Sequence, residues 1–134
     1  MLMHNFMLLD RSEEECGMIM EKYRHYRIPD EFIVNVEDGI IVKLMEDLSL
    51  MITSPEDSEI KHFGLNYTGI TIIPPVSLSY FQNVFLKKKL AKKSAGVYDL
   101  IVLISKAIKE NKSIIHYGIK RIIFIYSAIY FFSI

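Results

Sequence analysis

Two short segments of the chain share the order histidine, aromatic, glycine, aliphatic. They are His62-Phe63-Gly64-Leu65 and His116-Tyr117-Gly118-Ile119. If both lie in strands of one sheet, His62 and His116 can face the same side and approach each other, where a pair of imidazoles serves acid–base or metal chemistry. Two histidines are too few ligands for a typical zinc site. The alternative interpretation is structural, with the glycine easing a bend at a strand end and the aromatic ring filling the core.

The remaining reactive side chains do not form a motif. Cys16, the only cysteine, lies on the apolar stripe of a predicted helix, where cysteine packs as a small hydrophobe. His4 and His25 have no partner at ligand spacing and receive no functional interpretation. The chain contains no phosphate-binding glycine loop, no zinc-type cysteine pairs, no H-E-x-x-H and no G-x-S-x-G. We therefore expect no cofactor and no catalysis, with a small enzyme built on His62 and His116 as the alternative.

Charge is divided between the two halves of the chain. Residues 1–64 carry fourteen Asp and Glu against six Lys and Arg, and residues 65–134 carry two against ten, so the net charges are −8 and +8. The halves can complement each other internally or steer a charged partner. The whole chain is neutral, which argues against general nucleic-acid binding. The candidate partner-binding residues belong to an acidic loop and a lysine run, each of which also fits a simply solvated surface: Glu56, Asp57, Glu59, Lys88 and Lys92.

Three amphipathic helices are predicted. The first begins at the capping box Ser12-Glu13-Glu14-Glu15, where serine and glutamate satisfy each other's backbone N–H groups. The second is capped by Ser77 and turns Leu78, Phe81, Val84 and Phe85 inward. The third covers Val97 to Glu110, and its apolar stripe is Val97, Leu100, Ile101, Ile104, Ala107 and Ile108.

The strands are predicted from β-branched, alternating segments bounded by turn residues. They comprise Phe32–Val36 followed by a hairpin turn at 37–39, residues 49–53, a strand pair at 60–65 and 70–73, and Ser113–Ile119. Residues 40–47 fit either a helix or a strand. The order of elements indicates an α+β fold, an antiparallel or mixed sheet packed on one face by about three helices.

Length and composition favour a single domain over residues 1–119 in the cytoplasm. One cysteine excludes an internal disulfide, and a 51% apolar content supplies one core. Residues 1–9 are apolar but have no basic region or cleavage site, so they are not read as a signal peptide. Met3 and Met7 could also be alternative starts, which would make the first residues dispensable.

The end of the chain, residues 120–134, is a tail with three interpretations. Residues 122–134 contain no charge, and as a helix they would span about 20 Å, less than the ~30 Å of a bilayer core. They could be a read-through tail, a packed strand or oligomer contact, or an interfacial membrane anchor. Membrane contact through the tail is an open but not favoured expectation.

The segment Gly69-Ile70-Thr71-Ile72-Ile73-Pro74-Pro75, its following capped helix and the closing Ile114–Ile119 resemble small bacterial immunity-type proteins encoded beside polymorphic toxins. The resemblance covers about residues 30–119. It implies a cytoplasmic, non-catalytic protein that binds a toxin domain and blocks its active site. No catalytic residues carry over. We therefore expect a protein partner and no nucleic acid.

Overall fold

A computed structural model of the chain describes residues 2–9, 33–55 and 61–119. Six strands in these ranges form one sheet in which neighbouring strands are antiparallel. They are β1 (Met3–Leu9), β2 (Val34–Glu37), β3 (Ile52–Pro55), β4 (His62–Phe63), β5 (Ile70–Ile73) and β6 (Ser113–Tyr117), in the order β2-β1-β6-β5-β3-β4. The predicted α+β class is confirmed, and the sheet is antiparallel.

Three α-helices lie in the described ranges and pack on one face of this sheet: α1 (Asp38–Leu48), α2 (Leu78–Lys87) and α3 (Ala95–Glu110). Short 3-10 turns occupy Pro75–Ser77 and Leu90–Lys92. The inward stripe predicted for α2 is confirmed, since all four of its residues are buried. In α3, Val97, Leu100, Ile104 and Ala107 are buried, whereas Ile108 is exposed. The strands contribute Phe6, Val36 and Ile114 to the same core.

Several sequence predictions fall on residues that the structure does not describe. These are the helix that starts at Ser12, with Cys16 on its stripe, the acidic loop and the tail at 120–134. Among the helices of the described ranges, none combines the length and the apolar character needed to cross a bilayer.

The hairpin predicted at residues 37–39 is wrong, and the open segment 40–47 is a helix. Asp38 begins α1, where an acidic side chain in the first turn is favoured by the helix dipole. Its N–H donates to the carbonyl of Leu2 at 3.0 Å, which ties the helix start to the entrance of β1. The helical spacing of Ile41, Leu44 and Leu48 buries all three side chains, and this burial outweighs the β propensity of the Ile-Ile-Val run.

The predicted pairing of residues 60–65 with 70–73 is also wrong. Both segments contain strands, but β3 lies between them: Thr53 is opposite His62 on one side, and Ser54 is opposite Ile72 on the other. Residues 64–69 therefore cross from one side of β3 to the other instead of forming a hairpin turn. Strand pairing of this kind is set by burial on the sheet faces, which a local turn signal does not report.

The serine predicted to cap α2 has a different role, and a second serine caps α3. The Ser77 hydroxyl donates to the carbonyl of Ile52 at 2.6 Å and does not cap α2. Ser94 caps α3, because its hydroxyl oxygen accepts from the N–H of Val97. As a result α3 begins two residues earlier than predicted, at Ala95.

Candidate functional site

The described histidines nearest to one another come from β1 and β6, which are neighbouring interior strands of the sheet. Phe6 of β1 is directly opposite His116 of β6, and His4 is two residues before Phe6, so both histidines lie on the helix-covered face. Both side chains are fully buried. The ring of His116 packs on Phe6 with centroids 4.8 Å apart, which places an aromatic wall beside the pair.

The two imidazoles and a carboxylate form a continuous chain of hydrogen bonds. His4 Nδ1 lies 2.9 Å from His116 Nε2, and His4 Nε2 lies 2.9 Å from Oδ1 of Asp38 at the start of α1. The other carboxylate oxygen, Oδ2, accepts from the hydroxyl of Tyr67 at 3.0 Å. We call this set of side chains, Tyr67, Asp38, His4 and His116, the histidine network.

The far end of the histidine network reaches β5. Thr71 Oγ1 lies 3.5 Å from His116 Nδ1, the longest contact of the chain. The same oxygen accepts from the N–H of Asn66 at 2.8 Å, so Thr71 is held in place by the loop that also carries Tyr67. The network therefore connects β1, β5, β6, α1 and the 64–69 loop.

The hydrogen-bond acceptors at the two ends of the histidine network determine which nitrogen of each imidazole carries a hydrogen. A carboxylate only accepts, so His4 Nε2 carries a hydrogen toward Asp38. In neutral His4 the other nitrogen, Nδ1, is then an acceptor, and His116 must donate to it from Nε2. The unprotonated Nδ1 of His116 is left to accept from the Thr71 hydroxyl. Every ring nitrogen is used, and hydrogen bonds run in one sense from Thr71 to Asp38.

Burial controls the charge of this network. Desolvation, followed by the charge of neighbouring His4, lowers the pKa of His116 from 6.5 to about 3. The pKa of Tyr67 is raised, first because its hydroxyl is hydrogen-bonded to Asp38. At neutral pH His116 is thus an uncharged imidazole and Tyr67 an intact phenol.

The geometry does not suit a metal or a reacting substrate. The two facing nitrogens share a hydrogen bond at 2.9 Å and do not converge on a common point. Within residues 2–9, 33–55 and 61–119, no three His, Cys, Asp or Glu side chains come together as metal ligands. Because both rings are enclosed, a substrate cannot touch them in this conformation. What the histidine network does in this structure is to connect β1, β5, β6, α1 and the 64–69 loop by hydrogen bonds.

The hypothesis that His62 and His116 form a pair is wrong. His62 lies on β4, separated from β6 by β5 and β3, so the strands are about 14 Å apart at ~4.8 Å per step. His116 instead meets His4, which the sequence interpretation left without a role. Alternation in Met3–Leu9 was the signal that could have placed His4 in a strand, because His4 and Phe6 fall on one face and are both fully buried.

A second candidate site lies at the β4 edge of the sheet. Ile52 and Phe63 are directly opposite each other on β3 and β4, and their side chains share one face. Leu50 lies two residues before Ile52, and Val76 precedes Ser77, whose hydroxyl donates to the carbonyl of Ile52. Leu50 is 74% exposed, Phe63 56% and Val76 80%. We call Leu50, Ile52, Phe63 and Val76 the β4 surface.

The opposite edge of the sheet is protected. The N-terminus of α3 packs on β2 so closely that a Cβ at Gly96 would lie 2.1 Å from the carbonyl oxygen of Asn35. The Ser94 hydroxyl also donates to Glu37 of β2 at 2.8 Å. A covered edge is a common protection against unwanted strand pairing. Among the described elements, the β4 edge has no such cover and carries apolar side chains instead.

The predicted partner-binding residues occupy different places. Glu56, Asp57 and Glu59 are outside the described ranges, in the chain segment that joins β3 to β4. Lys88 follows α2 and is exposed, with its Nζ 3.9 Å from Oδ2 of Asp47. Lys92 is exposed in the 3-10 turn before α3. The β4 surface itself was missed by the sequence interpretation, which treated Phe63 as a core residue.

Comparison with known proteins adds no relative to this description: neither protein-family models, nor curated proteins, nor solved structures match the chain.

Proposed function

We propose that the chain is a non-catalytic protein-binding module that engages its partner through the β4 surface. The observation that carries the proposal is the group of exposed apolar side chains on β4 and near it, at a sheet edge that no described element covers. Contiguous exposed apolar residues at a sheet edge are characteristic of interaction sites in soluble proteins. Its most specific form is an immunity-type protein that covers the active site of a toxin domain, as the sequence resemblance implies.

The charge pattern supports a basic partner. The segment joining β3 to β4 contains Glu56, Asp57 and Glu59, and it belongs to the half of the chain with a net charge of −8. An apolar surface whose two strands are joined by an acidic segment is suited to a basic toxin domain such as a nuclease, because negative charge accelerates encounter while apolar contacts provide affinity. The partner is sought as the product of a neighbouring toxin-like reading frame, or by pulldown from the native cell.

Replacing Phe63 with glutamate should weaken partner binding by about 100-fold, because truncating an aromatic anchor and burying a charge costs roughly 2 kcal/mol or more. Tyr98→Glu is the matched control, since Tyr98 is an aromatic residue of similar exposure, 59%, on α3. It should change affinity less than about threefold. Calorimetric titration of the purified toxin domain measures both variants. Equal affinity of Phe63→Glu and the wild type would exclude the β4 surface as the contact.

Reversing the acidic segment should slow association. The double variant Glu56→Lys with Asp57→Lys is expected to lower the association rate about tenfold at low salt and to flatten its salt dependence, because steering depends on the local field. Lys88→Glu with Lys92→Glu is the control and should have little effect on a basic partner; the roles exchange for an acidic one. Stopped-flow binding from low to high salt measures the rates. If neither pair changes the rate at any ionic strength, the charge division is internal complementarity.

A further inference from the structure

The contact between His4 and His116 has room for one proton only. The two facing nitrogens are 2.9 Å apart, a distance that fits one N–H donor and one acceptor. When His116 donates, His4 accepts; when His4 carries a second proton, it donates and His116 must accept. If both rings are cations, two N–H groups point at each other and the hydrogen bond becomes a repulsive contact between like charges.

The surroundings can neutralise one positive charge. Asp38 of α1 contacts His4 with one oxygen and Tyr67 with the other. From the other described elements around His116, β5 offers the neutral Thr71 and β1 offers Phe6. α2 approaches with the ring of Phe81, which packs on Phe6, and α3 contributes aliphatic side chains to the same core. Among these described neighbours, Asp38 supplies the carboxylate in contact with the histidine pair, and this carboxylate also accepts a hydrogen bond from Tyr67.

We propose that the His4–His116 pair is an acid-sensitive latch, which joins β1, β6 and the start of α1 at neutral pH and opens this end of the fold when both rings are protonated. The elements that would separate, β1, β6 and the start of α1, are linked through Asp38 and Tyr67. Asp38 binds Leu2 through its N–H and Tyr67 through its carboxylate. The Tyr67 loop is in turn tied to the end of β6 by the N–H of Ile119, which donates to the carbonyl of Tyr67 at 2.8 Å.

The direction of the pH effect follows from proton uptake. His116 has a pKa of about 3 in the folded protein and an ordinary value of 6.5 when exposed. Between these values the unfolded chain binds a proton that the folded chain does not. The free energy of unfolding is therefore unaffected by this group above pH 6.5 and decreases as the pH falls toward 3. The limiting slope for one proton is a tenfold fall in the folding equilibrium constant per pH unit.

The test compares thermal unfolding of the wild type, His116→Gln and His62→Gln between pH 7.5 and 5. Glutamine keeps a donor N–H for His4 but does not titrate. We expect the melting temperature of the wild type and of His62→Gln to fall steadily below pH 6.5. His116→Gln should start lower, because ring packing on Phe6 is lost, and should show at most half of that fall. An equal fall in all three proteins, or a wild-type melting temperature that is constant over this range, overturns the latch.

A measurement on the wild type covers the case in which His116→Gln does not fold. Imidazole nitrogen resonances report the protonation of each ring directly. We expect the His116 ring to remain neutral in the folded protein at pH 5. A His116 ring that becomes protonated near pH 6.5 without loss of the folded spectrum would show that the pair accommodates both charges, which overturns the proposal.

Discussion

Replacing Gly118 with alanine should lower the melting temperature by about 10 °C, since overpacking against backbone costs roughly 3 kcal/mol at its upper end. A Cβ at this position would lie 2.2 Å from the carbonyl oxygen of Tyr67 and 2.7 Å from that of Asn66. Neither atom is the flexible end of a side chain, so the loop itself must move. The N–H of Gly118 also donates to the carbonyl of Gly69 at 2.8 Å, and this bond would be strained with it.

Gly39→Ala is the matched control for the same chemical change. A Cβ at Gly39 meets no atom within 4 Å, and the residue lies exposed in the first turn of α1. Alanine should therefore stabilise the helix by about 0.5 to 1 kcal/mol. Differential scanning calorimetry measures both proteins. A Gly118→Ala melting temperature at or above that of Gly39→Ala would mean that the Tyr67 loop does not sit against β6 as described.

A chain that begins at Met7 should fail to fold. The four register pairs between β1 and β2 involve residues 3–6, so this truncation removes the whole pairing. It also removes His4 and Phe6, and losing a buried phenylalanine alone costs about 3 to 5 kcal/mol. Because residues 3–6 form the part of β1 that pairs with β2, we expect them to be required for folding, and the alternative start at Met7 is disfavoured.

A chain that begins at Met3 separates this effect from truncation as such. It keeps all four pairs with β2 and the whole histidine network, and it loses the carbonyl of Leu2 that accepts from Asp38. The expected cost is about 1 kcal/mol for that hydrogen bond. Circular dichroism and proton spectra distinguish a folded from an unfolded chain. A folded, cooperatively melting protein that begins at Met7 would contradict the position of β1 between β2 and β6.

The two sites have different physical characters. The histidine network is enclosed and polar, so its effect is on the conformation of the protein, through the partners that each ring must satisfy. The β4 surface is apolar and exposed, so the role we propose for it is association, in which burial of Phe63 would supply affinity. The variants should therefore affect different measurements. The double variant Glu56→Lys with Asp57→Lys should change an association rate, and His116→Gln should change the pH dependence of the melting temperature.

Local patterns in the sequence were sufficient for the α+β class and for two of the described helices. The stripes of α2 and α3 repeat every three to four residues, and this period reports a buried helical face without knowledge of the partner. The strands β2, β5 and β6 were also found, because β-branched runs bounded by turn residues are local signals. The start of α1 was not, since Glu37-Asp38-Gly39 is an equally good turn.

Only the tertiary structure decided which strands are neighbours. The strand order in turn determines where the histidine network and the β4 surface lie. His4 and His116 are 112 residues apart, and no spacing rule connects them. They meet because burial of Phe6 and Ile114 beneath the helices fixes the register of β1 against β6. In the same way, the position of β3 between β4 and β5 separates His62 from His116 and places Phe63 at an edge that no described element covers. By itself the sequence determined local conformation and charge; long-range pairing depends on the total burial of the sheet faces, which no single segment encodes.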